Sequence, residues 1–419
     1  MFKLSSHITI ETNPRIGGRG SQRYEFDFVT DVNIKTSWKS LTDTCEITFP
    51  RNLRWEGGTR LVNDSRTNPV LARGDKVTVE LGYDDNLETA FVGYINKIYP
   101  DAPVKIECED KSWFLKYAAI DPDLYSLAVS NIPIIGGDLI SYVLPVIPTV
   151  ISLYAGQAVT GQSRFQDFSL DFRVRTLDNF GRRVKLGNYR FPTGAVKQNT
   201  AYALLEEFKQ YYSIYSWFRE ETLYVGWRDG IDVIDGLSIG RKEVDLHFQE
   251  NIISHNLDYV HFDDHPLVVE AYGTPLAANI VNPLSPTMKG RAFLTNIGSG
   301  SARVKRLDGY EGLSGSDLAA VAERFRKVHR FTGYKGTLET FGERLINHGD
   351  VVALGDNRHP EREGTYLVCE NNIRFGASSG YRQNISLERK VNKVGNTYTE
   401  LDASAIGFEV LDLLQDFLT

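Results

Sequence analysis

The chain has 419 residues, 42 % of them hydrophobic and 11 % aromatic, with 21 Tyr and 22 Phe against 2 Met; it is too long for one ordinary core, and this composition favours strands over long helical bundles. With 47 basic and 54 acidic residues, a net charge of −7 and no block of five or six like charges, it lacks the footprint of a protein that grips nucleic acid through its phosphates. Cys45, Cys108 and Cys369 are scattered and form no CxxC pair, which argues against a disulfide framework or a zinc site and for buried free thiols.

The opening MFKLSSHITIETNPR has no apolar h-region or small-residue cleavage site, so no secretory signal is expected. Residues 23–49 alternate through Phe26, Phe28, Val32, Ile34, Cys45, Ile47 and Phe49, with turn residues between, the pattern of half-buried antiparallel strands. After a Gly-, Asn- and Pro-rich loop (56–70), alternation returns in ARGDKVTVELGY (72–83), TAFVGYINKIYP (89–100) and PVKIECEDKSWFLK (103–116). Short strands joined by polar turns fit a small barrel, placing a first domain at 1–117.

Residues 118–242 read as a mixed α/β middle domain. Its most apolar stretch, 131–156, is interrupted by Pro133, Asp138, Pro145 and Pro148, so it reads as buried interior and not as a membrane span. GDLISYVL (137–144) is a short helix candidate. NTAYALLEEFKQYY (199–212) is a better one, with Asn199 or Thr200 as N-cap. SIYSWFREETLYVGW (213–227) reads as a hairpin.

A second β-barrel domain is expected over 243–395, with strands at 244–260, 266–273, 291–297, 334–342, 348–357, 364–376 and 381–391. One helix, 314–331, would carry Leu318, Val321, Ala322, Phe325 and Val328 on its apolar side and stop at Gly333. A helical tail (396–419) follows, with Ile406, Val410, Leu413, Leu414 and Phe417 on one face; it would cover the second barrel or contact a partner.

An offset of 275 maps Gly74-Asp75 onto Gly349-Asp350, Val77 onto Val352, Val79 onto Leu354, Phe91 onto Tyr366, Asn96 onto Asn371 and Ile98 onto Ile373. We read this as two copies of one β-domain. In each, Gly serves a turn that a Cβ would strain, and Asp bonds backbone beyond it. The adhesion-like tripeptide Arg73-Gly74-Asp75 is then a strand-starting turn in which the arginine is incidental.

No catalytic residue, metal site or cofactor is assigned. His261 and His265 in HFDDHP are four apart around Asp263-Asp264, but on a strand that spacing is about 13 Å, and the stretch reads as a turn. Glu107 and Glu109 share the outer face of one strand and read as solvated. IGGRGS (16–21) and GSGSAR (298–303) lack the Lys-Ser/Thr of a phosphate loop.

Three stretches, 89–117, 186–226 and 318–354, resemble the baseplate hub proteins of tailed bacteriophages, the late control protein-like family related to the hub of type VI secretion spikes. Similar domains begin tail-associated proteins of long non-contractile tails. The resemblance runs in order over most of the chain, and no single motif in it is diagnostic. It implies a mainly β fold with an α+β insertion, in which two related β-barrel domains from each of three subunits form a pseudo-hexameric ring. It also implies a homotrimer that contacts the tail tube or distal tail protein, a spike or tip protein and a tape-measure protein, and that lets DNA pass without specific binding. The place implied is the virion tail. The chain departs from the pattern by ending at Thr419, so a separate protein would supply the spike or lytic domain. The competing reading is a β-rich protein that binds or hydrolyses cell-wall glycan.

Overall fold

The computed structural model describes residues 3–13, 21–50, 71–99, 103–116, 173–177, 200, 214–219, 222–227, 242–261, 267–273, 288–292, 303–307, 332–394 and 397–400, with single helical positions at 202–209 and 318–326. The fold is mainly β. In the first part, β1 (Leu4–Glu11), β2 (Arg23–Phe26), β3 (Asp31–Ser37), β4 (Thr44–Thr48), β5 (Lys76–Tyr83), β6 (Asn86–Tyr99) and β7 (Lys105–Glu109) are followed by the one-turn helix α1 (Ser112–Leu115). Then come β8 (Arg173–Leu177), β9 (Ile214–Arg219) and β10 (Thr222–Trp227). The remaining strands are β11 (Glu243–His247), β12 (Ile252–Val260), β13 (Leu267–Gly273), β14 (Met288–Ala292), β15 (Arg303–Leu307), β16 (Gly333–Phe341), β17 (Val351–Gly355), β18 (Gly364–Gly376), β19 (Gly380–Val394) and β20 (Thr397–Glu400).

The expected alternation is met except at Phe28, which lies beyond the end of β2 and is 64 % exposed: Val32, Ile34, Ile47, Val77, Val79 and Ile106 are fully buried and join one core with Ile8, Ile10 and Phe49. The run 103–116 differs from expectation, because its strand ends at Glu109. Asp110 Oδ1 accepts the Ser112 N–H at 3.0 Å, which turns the chain and delivers Trp113 and Phe114 to the interior as α1. The run 244–260 is two strands, since the Asn251 side chain accepts the His247 N–H at 2.8 Å and bends the chain between them. In the middle region β9 and β10 form the expected hairpin, with β8 added parallel to β10. Thr200 Oγ1 accepts the Ala203 N–H at 3.2 Å, the N-cap expected for that helix. The candidate helix 137–144 and the tail 396–419 beyond Glu400 lie outside the described residues.

One sheet of 14 strands runs in the order β12-β16-β19-β18-β3-β4-β7-β6-β5-β1-β2, with β17 also on β18, β11 on β17 and β20 on β19. Two strand sets of the same order are thus fused: β3-β4-β7-β6-β5-β1 and β12-β16-β19-β18-β17-β11. They differ at the last strand, where β1 is antiparallel to β5 and β11 is parallel to β17.

The repeat is visible in the hydrogen bonds, with one adjustment. Gly74 N–H donates to Ile95 O at 2.7 Å and Ile95 N–H to Asp75 O at 2.9 Å; Gly349 N–H donates to Val368 O at 2.7 Å and Val368 N–H to Asp350 O at 2.9 Å. Val368, and not the Glu370 required by the offset of 275, is therefore the counterpart of Ile95. The second hairpin is two residues shorter, so the expected pairs Phe91–Tyr366, Asn96–Asn371 and Ile98–Ile373 each slip by two. A slip of two leaves every side chain on its original face, which is why the pattern survived in the sequence.

Candidate assembly interface

The duplicated turns are built alike. Gly74 and Gly349 have φ of 89° and 81°, the left-handed region where a Cβ costs about 1–2 kcal/mol. Asp75 Oδ2 accepts the Ala72 N–H at 2.7 Å and its Oδ1 the Asn13 N–H at 3.0 Å. Asp350 Oδ2 accepts the Asn347 N–H at 2.8 Å and its Oδ1 the Lys242 N–H at 3.1 Å. Each carboxylate thus ties its turn to a distant segment. Asp75 is 0 % exposed, so it cannot present itself to a receptor, and Arg73 reaches away to Asn96 Oδ1 at 2.9 Å. The adhesion reading has no geometric support.

The two sets meet in a seam. β3 pairs antiparallel with the second half of β18, from Glu370 opposite Ser37 to Gly376 opposite Asp31. β17 occupies the first half of the same β18 edge, ending with Val351 opposite Leu367. Trp38 extends the seam by donating its N–H to Cys369 O at 3.3 Å. Residues more than 330 positions apart are joined here by backbone hydrogen bonds, each worth about 1 kcal/mol net.

Side chains from the middle region close one end of the seam. Trp217 and Tyr224 stack at 5.7 Å, and they share a core with Trp38, Val351, Leu367, Cys369 and Val391. Tyr215 meets Trp38 edge-on at 5.0 Å. Arg219 donates to His348 O at 2.7 Å and lies 3.5 Å from Asp350. The buried His348 has Nε2 3.5 Å from Asp43 of the first set. Nearby, burial, then the Asp43 carboxylate, push the Asp110 carboxyl well above the usual carboxylate range. The cluster joins the two sets through buried and partly buried side chains.

At the outer rim, β12 pairs with β16, and among the described residues no strand pairs with its other side. Ser254, His255, Asn256, Asp258 and Tyr259 are exposed, and Ile253 and Tyr259, at 40 % and 50 %, are two of four large hydrophobics exposed among the described residues. Sequence reasoning missed this edge. Its signal is the loss of inward-outward alternation across NIISHNLDYV, the second half of the run expected as one strand at 244–260.

The expected partner-contact residues Ile406, Val410, Leu413, Leu414 and Phe417 lie outside the described residues, as does His265. Glu107 accepts from the Tyr99 hydroxyl at 2.9 Å, and Glu109 accepts from Lys116 at 2.6 Å and Asn96 at 2.8 Å; each serves its own surface network. Among the described residues no group of three or more His, Cys, Asp or Glu could hold a metal ion, and no helix is long and apolar enough to cross a membrane.

No protein-family model and no curated protein matches the chain. Among solved structures, the tail protein from Neisseria meningitidis MC58 aligns with a TM-score of 0.53 over 92 % of this chain and 96 % of that one, at 11 % identity. The 43 kDa tail protein of prophage MuSo2 from Shewanella oneidensis aligns with a TM-score of 0.49 over 92 % and 98 %, at 12 % identity. A type VI secretion system component of E. coli aligns at 0.42 over 89 % and 75 %, at 7 % identity. At these identities the likeness concerns the fold, which this chain shares with the Neisseria tail protein.

Proposed function

We propose that the chain is a structural baseplate hub protein of a phage tail or a related injection machine, and not an enzyme. As a homotrimer it closes the distal end of the tail tube, adapts a hexameric tube to a trimeric spike, and forms part of the channel through which DNA leaves. The observation that carries this reading is the duplicated strand order within one continuous sheet. Three chains with two similar units each present six near-equivalent surfaces to a sixfold tube and three to a threefold spike. The fold shared with a tail protein supports the same reading. The net charge of −7 suits a wall that phosphates pass without sticking.

The partners follow from that position: a tail-tube or distal tail protein on one side, a spike or tip protein on the other, and a tape-measure protein in the lumen. The helical tail with Ile406, Val410, Leu413, Leu414 and Phe417 is the proposed contact with one of them. Light scattering of the purified 47.2 kDa chain across a concentration series tests the reading. A trimer is expected; a monomer that binds or cleaves cell-wall glycan would overturn it in favour of the competing class.

A further inference from the structure

We infer that the exposed edge of β12 pairs, in a second copy of this chain, with the end of β6, and that this contact repeats between subunits the seam that β3 and β18 form within one. The inference rests on the trimeric hub reading and names the strands and the register that close the ring.

The argument begins with equivalence. β3 is the end strand of its set and β12 the end strand of the other. β3 pairs with β18 beyond the point where β17 stops. The counterpart of β18 is β6, and the counterpart of β17 is β5, whose pairing stops at Lys76 opposite Tyr94. Beyond that point Ile95 is taken by the Gly-Asp turn. Among the described residues no strand pairs with Lys97–Tyr99 on the β5 side. One end strand and one acceptor edge are thus left over among the described residues of each chain. They cannot be the same seam inside one chain, because the two strand sets are already joined through β3 and β18; a neighbouring copy supplies the match. A heterologous contact of this kind generates a ring when it closes, and it removes an edge that would otherwise be open to stray pairing.

The register follows by transfer through the paired strands. Ile95 and Val368 are equivalent by their turn bonds, so Lys97, Ile98 and Tyr99 correspond to Glu370, Asn371 and Asn372. Ile95 pairs with Cys108, and Cys108 with Cys45, and Cys45 with Ile34. Val368 pairs with Leu387, Leu387 with Gly336, and Gly336 with Leu257. Ile34 therefore corresponds to Leu257, Lys35 to Asp258 and Ser37 to Val260. The internal pairs Glu370–Ser37 and Asn372–Lys35 become Lys97–Val260 and Tyr99–Asp258 between copies.

The charges support this register independently. Within the chain, Glu370 sits diagonal to Lys35 on one face; between copies, Lys97 would sit diagonal to Asp258. The sign is reversed at both positions and the attraction is kept, within the reach of long side chains. A β12 that docked on the wrong edge, at β18, would put Asp258 beside Glu370. The reversal thus favours correct closure over self-mispairing.

Because the Trp38 and Cys369 pair is hydrogen-bonded, the next pair, Glu370–Ser37, is of the non-hydrogen-bonded type, with Cα atoms about 4.5 Å apart, within disulfide range. The variant Lys97→Cys with Val260→Cys in the full chain should therefore form covalent trimers on mild oxidation, seen on a denaturing gel and reversed by reductant. The control Lys97→Cys with Ile253→Cys should not. A chain that is trimeric by light scattering but cross-links only in the control overturns the seam and leaves the hub reading standing; a chain that stays monomeric overturns both. A second measurement guards against a folding defect. Lys97→Glu and Asp258→Lys should each raise the concentration at which the trimer dissociates by about fivefold or more, and the double variant should restore it; additive losses in the double variant would contradict the pairing.

Discussion

Asp75 and Asp350 show how one carboxylate can fix a strand start. Each accepts backbone N–H groups from its own turn and from a segment far away in sequence. Replacing either with Ala leaves buried donors unpaired, and chemical unfolding should register a loss of about 2–4 kcal/mol for each. Arg73→Lys should change neither stability nor assembly, since Asp75 is held without the guanidinium. Asp110 gives a pH signature. Its folded-state carboxyl is raised by burial, then by Asp43, so the folded form holds a proton that the unfolded chain releases above the ordinary value of 3.8. Stability therefore falls as pH rises from there through the folded value. Asp110→Asn keeps the acceptor for Ser112 and should gain stability over the parent at pH 7 but not at pH 4; equal effects at both would contradict the assignment. The Cys369 thiol, pushed up to about 12 by burial, should stay unreactive to a thiol reagent at pH 8 until the chain unfolds.

Among the elements, those with a buried face were legible and those defined by a neighbour were not. Val77, Val79, Cys45 and Ile47 alternate because one face of each strand meets a core, so β4 and β5 could be read from residue type alone. β1 is not legible in the same way, because Ile8 and Ile10 are flanked by Ser5, Ser6 and Thr9, which are also buried and break the simple alternation. The β3–β18 seam could not be read, since nothing local in either strand encodes a partner more than 330 residues away. The duplicated turn was legible as Gly-Asp; the two-residue difference in hairpin length was not, because it preserves the faces. β12 depends on Gly336, whose Cβ would meet Asn256 O at 2.1 Å and whose φ is 136°. Gly336→Val should release β12, with its amide protons exchanging faster by hydrogen exchange while those of β18 and β19 keep their protection. Uniform loss of protection would show that β12 is not a separable edge.

At the scale of the whole molecule, the fused strand sets make a single chain carry two linked units of the same strand order. The threefold assembly built from such chains is the central claim. Averaged electron-microscope images of the assembled tail end, viewed along the axis, test it most directly. The account predicts three copies of this chain in a ring of six similar lobes between the tube and the spike. A single copy, or copies placed on the tail surface away from the axis, would contradict it.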